Sequence, residues 1–132
     1  MFSILIGLLT LIFLFPFFVA CRTETDIKRL RKLVKLGKSF AQNALGEMHQ
    51  HGLYGVTQSD EKALNLYTLS ANNRDAVGMT RTAHYYYHGI GVKQSRTTAR
   101  KMFEFAAREG GVAGKKEDIV LVKFRYINHP LN

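Results

Sequence analysis

The chain has 132 residues, with 19 Lys and Arg against 10 Asp and Glu, a net charge of +9 and 46% hydrophobic residues. Setting aside an apolar N-terminal run leaves about 110 residues, enough for one small domain and too few for a large enzyme with a separate lid or cofactor domain. A single cysteine, Cys21, excludes a disulfide framework within the chain.

Residues 1–20 carry no charged side chain and are mostly Phe, Leu and Ile. That length suffices to span a bilayer, for which about 18 apolar residues are enough. It also has the form of a secretory signal: an apolar run, a helix-breaking Pro16, then small Ala20 beside Cys21. "FVAC" (Phe18 to Cys21) resembles the lipobox of bacterial lipoproteins, with Phe18 in place of the usual Leu and no basic residues before the apolar run. The resemblance implies acylation of Cys21. Residues 1–21 are therefore expected to be a signal peptide with lipobox or an uncleaved membrane anchor.

Next comes a basic stretch, 22–36, expected to be a linker or the helix of a partial repeat. Arg22 to Lys38 contributes +5 of the net charge, with Lys28, Arg29, Arg31, Lys32, Lys35 and Lys38 set among Ile27, Leu30 and Val34 at helical spacing. Such a helix can cap a domain or press on anionic lipid or polymer. Nucleic acid is not expected as a partner, because no base-reading motif is present.

From Gly37 onward the chain repeats itself. Val56 and Val92, Ser59 and Ser95, Ala63 and Ala99, Tyr67 and Phe103, and Ala71 and Ala107 are each 36 residues apart, whereas Gly52 and Gly89 are 37 apart. Small, aromatic, small at four-residue intervals marks one face of a helix that packs closely on another. Ser59 and Ser95 stand where N-caps belong, and Asp60 and Glu61 suit a first helical turn. Upstream of the turn glycines, Ala41, Ala44, Leu45 and Met48 form one apolar stripe, and Ala76, Met79, Ala83 and Tyr86 form another. Each copy thus reads as helix, glycine turn, helix, a unit that buries its face only by stacking on the next.

"AQNALGEMHQHGLYGVTQSDEKALNLYTLSA" resembles the Sel-one-like repeat, a relative of the tetratricopeptide repeat. In the first copy Leu45, Gly46, Gly52, Gly55, Val56, Ala63, Tyr67 and Ala71 match. Gly55 comes one residue late, and His49 stands in place of a Tyr. In the second copy Tyr86, Gly89, Gly91, Val92, Ala99, Phe103 and Ala107 match, with Thr82 and Ala83 replacing Leu-Gly. The resemblance implies an all-α fold, a short α-solenoid of antiparallel helix hairpins: repeat one over 37–73, repeat two over 74–110, and partial flanking helices. Residues 111–132 suit a helix face or a strand and are assigned as a C-terminal cap, because repeat arrays need one.

The chemical readings are thin. His84 and His88 lie four apart, but a zinc site wants three or four ligands. "GIGVKQS" lacks phosphate-loop spacing, and its glycines follow a helix instead of opening one. No serine sits in a nucleophile elbow. The expectation is no catalytic residue, no metal, no cofactor and no small-molecule substrate. What remains is protein–protein interaction, with Glu47, Gln50, Arg81, His84 and Tyr87 facing a partner from the first helices, and Arg100 and Lys101 as an outer basic edge. Tyr85 and Tyr87 are expected to be exposed on either side of a core-facing Tyr86. An exported protein of the bacterial cell envelope, anchored facing the periplasm or secreted, fits the N-terminus.

Overall fold

The computed structural model describes residues 2–109, with only the backbone of 8–23. Five helices lie among the described residues and no strand: α1 (Phe2–Lys35), α2 (Ser39–His51), α3 (Asp60–Asn72), α4 (Ala76–His88) and α5 (Arg96–Arg108). Consecutive helices pack in order, α1 on α2 through α4 on α5, and α2 also touches α4. The all-α solenoid of two helix hairpins is thus realised, with α2–α3 and α4–α5 as the units. The assigned cap at 111–132 lies outside the described residues, as does the Cys21 side chain.

Sequence marks where α3 and α5 begin and where α2 and α4 end. Ser59 Oγ accepts from the Lys62 N–H, and Ser95 Oγ from the Thr98 N–H, so both serines act as N-caps. Gly52 and Gly89 end α2 and α4 in the left-handed region at φ 64° and 68°, their N–H groups donating to the Met48 and Tyr85 carbonyls. The extra residue of the first turn is Tyr54, itself left-handed at φ 55°. It bulges outward, so Val56 still reaches the core.

The core is a chain of small clusters between neighbouring helices. Ala63, Leu64, Tyr67 and Tyr85 pack with Val92; Ala71, Met79 and Ala106 pack with Ala76 and Met102; Ala83, Ala99 and Phe103 pack with Tyr86, Tyr87 and Met102. Tyr67 and Phe103 are the largest fully buried side chains. At the second small position of the last helix Ala106 is buried, while Ala107 is half-buried.

The three tyrosines of α4 are placed differently from expectation. Tyr85 is 2% exposed and faces α3, its ring 5.8 Å from Tyr67 in an edge contact. Tyr86 and Tyr87 are half-buried against the α5 cluster. An inner helix of a solenoid packs on two neighbours, so its buried arc is wider than one stripe. On α3 Leu64 is buried, whereas Leu69 is 48% exposed.

A polar junction joins the hairpins. Asp75, the N-cap of α4, accepts through Oδ2 from Asn43 Nδ2 at 2.7 Å, the Gly78 N–H at 2.9 Å and Ser70 Oγ at 3.0 Å. One carboxylate oxygen therefore ties α2, α3 and α4. Gly78 sits so close to α3 that an added Cβ would lie 2.6 Å from Ser70 Cβ. Asn73 Nδ2 donates to the Gly37 and Gln42 side of the preceding junction, and Arg74 pairs with Glu109 beyond it.

Helix α1 runs without interruption past the position of Pro16, which the sequence suggests as a break. A proline removes one ladder hydrogen bond without preventing the helix from resuming. The same helix continues across 21/22 to Lys35 and serves as the helix before α2. Among the described residues, no helix is long and apolar enough to cross a membrane; the side chains of 8–23 are not among them.

Candidate functional site

The first helices of the two hairpins present equivalent rows: Phe40, Ala44, Glu47 and His51 on α2, and Val77, Arg81, His84 and His88 on α4. These rows follow from an i, i+4, i+7, i+11 spacing on helices held side by side. Phe40 is 62% exposed, an unusual place for a phenylalanine and one that the sequence reading passes over.

Three of the five expected partner-facing residues gather around Tyr67. Its hydroxyl donates to Gln50 Oε1 at 2.8 Å. The Arg81 guanidinium lies 5.9 Å above its ring and 3.8 Å from Glu47 Oε1. With both side chains of that ion pair about half exposed, the pair contributes at most about 1 kcal/mol. Burial pushes the Tyr67 phenol up to about 12, with Arg81 opposing and Glu47 adding to the shift, so the hydroxyl stays protonated and keeps donating.

The other two lie toward α5. His84 stands edge-on to Phe103 at 5.3 Å and parallel to His88 at 6.2 Å. Tyr87 lies under the Arg96 guanidinium at 5.6 Å and edge-on to His88 at 5.0 Å. The face is thus divided into a Tyr67-centred group and an imidazole–tyrosine group. Arg100 is half-buried with its Nε enclosed, while Lys101 is exposed, so only Lys101 forms an outer edge.

Burial lowers the His84 imidazole, and the neighbouring His88 and Arg81 charges lower it further. The unfolded chain takes up this proton near its ordinary pH of about 6.5, whereas the folded chain resists it until lower pH. The stability held by the neutral ring is therefore full above that pH and is lost as pH falls through the lowered native value. The melting temperature should fall from about pH 7 to pH 5, and His84→Gln should flatten that slope. An unchanged slope in His84→Gln would place its origin elsewhere.

Sequence reading also misses a pair of clamps that close the turns. Gln58 Nε2 donates to the Gln50 carbonyl at 3.1 Å, and Gln94 Nε2 to the Tyr87 carbonyl at 2.8 Å. Their signal was available, since both glutamines precede the N-cap serine of a copy. Chemically the face offers cations, imidazoles, aromatic rings and one carboxylate. Among the described residues no three His, Cys, Asp or Glu side chains converge to hold a metal ion.

Comparison with known proteins agrees with this geometry. The Sel1 repeat model matches residues 39–75 and 76–111, each opening on or beside the first residue of a first helix. The chain belongs to the Sel1 repeat family. These matched ranges start two residues later than the 37 and 74 that the resemblance implies. Protein sel-1 homolog 2 of Rattus norvegicus is 33% identical over 73 residues, and the Homo sapiens protein of that name is 32% identical over 73 residues. Each match covers 54% of this chain and 10% of the relative, so the chain spans about a tenth of the length of these curated relatives. Sel1 repeats generally mediate protein–protein interaction and are generally non-catalytic.

Proposed function

We propose that the chain is a non-catalytic adaptor of the bacterial cell envelope, binding a protein partner through the first-helix face of its two Sel1 repeats. Its N-terminal residues tether it, through an acylated Cys21 or an uncleaved helix. The observation that carries the partner-binding reading is the pair of register-matched rows on α2 and α4, where exposed Phe40 accompanies Glu47, Arg81 and the imidazoles. An aromatic anchor within reach of charged and polar groups is how protein interfaces concentrate their binding energy. The tether rests on the apolar run and on the likeness of "FVAC" to a lipobox.

The test is cross-linking and pull-down from envelope fractions, comparing wild type with a Phe40→Ala, Arg81→Glu double variant. The variant should lose the specific partner by about tenfold or more, since truncated interface anchors cost about 2 kcal/mol or more. Circular dichroism must show the same helicity, because Arg81 also touches Tyr67. Equal recovery of the same partner by a folded variant would remove the face from consideration. Metabolic labelling with a fatty acid tests Cys21, and an unlabelled wild-type chain would refute its acylation.

A further inference from the structure

Helix α1 packs antiparallel to α2. The short linker Leu36–Lys38 turns the chain, and Glu24, Ile27, Lys28 and Arg31 of α1 line one cleft with Tyr54, Gly55 and Val56 of the first turn. The N-terminal part of α1 therefore leaves the solenoid at the edge where the turns inside each hairpin lie. At 1.5 Å per residue α1 outruns the 13-residue α2 by about 30 Å, close to the hydrocarbon thickness of a bilayer. The turns on that edge carry exposed apolar tips: Leu53 at 40%, Tyr54 at 62% and Ile90 at 37%. Leu53 and Ile90 each follow the left-handed glycine that ends a first helix, so they occupy the same place in successive repeats. Basic residues border them, with Arg31 in the cleft beside Tyr54 and Lys93 exposed on the second turn.

We propose that this turn edge seats on an anionic lipid surface, with Leu53, Tyr54 and Ile90 entering the headgroup layer and Arg31 and Lys93 meeting lipid phosphates. The inference rests on the anchored reading above and adds an orientation to it. Three tips on two turns are too little surface for a stable dimer, which needs well over 1,000 Å2 in total. They suit an interface where a tyrosine ring and a few aliphatic groups dip below phosphate level. With α1 as the membrane normal, the row from Phe40 to His51 then runs along that normal, open to a partner from the side.

The chain contains no tryptophan, so single-tryptophan variants report position directly. Full-length Leu53→Trp, Ile90→Trp and, at the opposite edge, Lys38→Trp are reconstituted into phosphatidylcholine vesicles containing phosphatidylglycerol, with and without shallow brominated lipid. Leu53→Trp and Ile90→Trp should shift their emission to the blue and lose most of it to the brominated lipid, while Lys38→Trp keeps its emission. The loss at Ile90→Trp should weaken when phosphatidylglycerol is omitted. Vesicle-bound chains with both tips unquenched, or with loss at Leu53→Trp alone, overturn the seated edge while leaving the anchor intact. A blue shift that grows with the protein-to-lipid ratio and ignores bromine overturns it in favour of a second copy covering the edge. A chain that does not float with the vesicles refutes the anchored reading itself and the seating with it.

Discussion

Tyr67→Ala is expected to cost about 3–5 kcal/mol, the usual range for removing a large aromatic side chain from a core. Tyr67 is 1% exposed and stands where α2, α3 and α4 meet. Its ring edge contacts Tyr85 and closes on Gly46, and its hydroxyl reaches Gln50. Two hairpins of this size hold only about 3–5 kcal/mol of net stability, so the variant should be largely unfolded at room temperature. Tyr67→Phe removes the hydroxyl alone and should cost about 1 kcal/mol. Urea unfolding followed by circular dichroism measures both. A cooperative Tyr67→Ala transition within 1 kcal/mol of wild type would show that the ring is not the keystone.

The second large effect is expected from the smallest addition. Gly78→Ala places a methyl group 2.6 Å from Ser70 Cβ and Oγ and 2.7 Å from the Ala71 nitrogen. Alanine is ordinarily the better helix former by about 1 kcal/mol, so a loss of stability here isolates the packing conflict. Overpacking of this kind costs about 1–3 kcal/mol, and a shift of α4 also stretches the two hydrogen bonds that Asp75 accepts from Asn43 and Ser70 on the other helices. Adding Ser70→Gly clears two of the three contacts but leaves the Ala71 nitrogen, so the double variant should recover only part of the loss. Simple additivity of the two single changes would argue that the helices move apart freely.

The repeats were legible because each carries its own punctuation. Serine, left-handed glycine and small–aromatic–small spacing are local instructions, and the structure obeys them at Ser59, Gly52, Ser95 and Gly89. The departure at Thr82 and Ala83 from the Leu-Gly pattern also makes physical sense. Gly46 faces the Tyr67 ring at a distance where an added Cβ would lie 2.8 Å away, whereas Ala83 already carries its methyl group in contact with the Phe103 cluster. What stayed hidden is what needs three helices at once. Asp75, Ser70 and Asn43 are ordinary surface residue types, and nothing along the chain says that they converge. The inversion of Tyr85 and Tyr86 has the same origin. Helical phase gives a direction, but only the neighbours on both sides decide how much of the circumference is covered.

The candidate face was legible in part. Phase gives Glu47, Gln50 and Arg81 a common outward direction, and the structure gathers them around Tyr67, a buried tyrosine that the spacing assigns to the core. His84 and Tyr87 fall in a neighbouring group, because successive steps of three residues rotate around the helix. Phe40 stands off the stripe of Ala41, Ala44, Leu45 and Met48, and nothing along the chain marks a lone aromatic there as exposed.

In a linear array, stability is a sum of unit terms and terms for the seams between units. The shared oxygen of Asp75 shifts weight from the first kind to the second. Neither hairpin can detach without leaving a carboxylate short of donors beside a close helix contact, so fraying from one end is penalised at its first step. The two repeats should therefore melt and refold as a single cooperative block, and cutting the chain between them would leave two halves that are each poorer than half the whole.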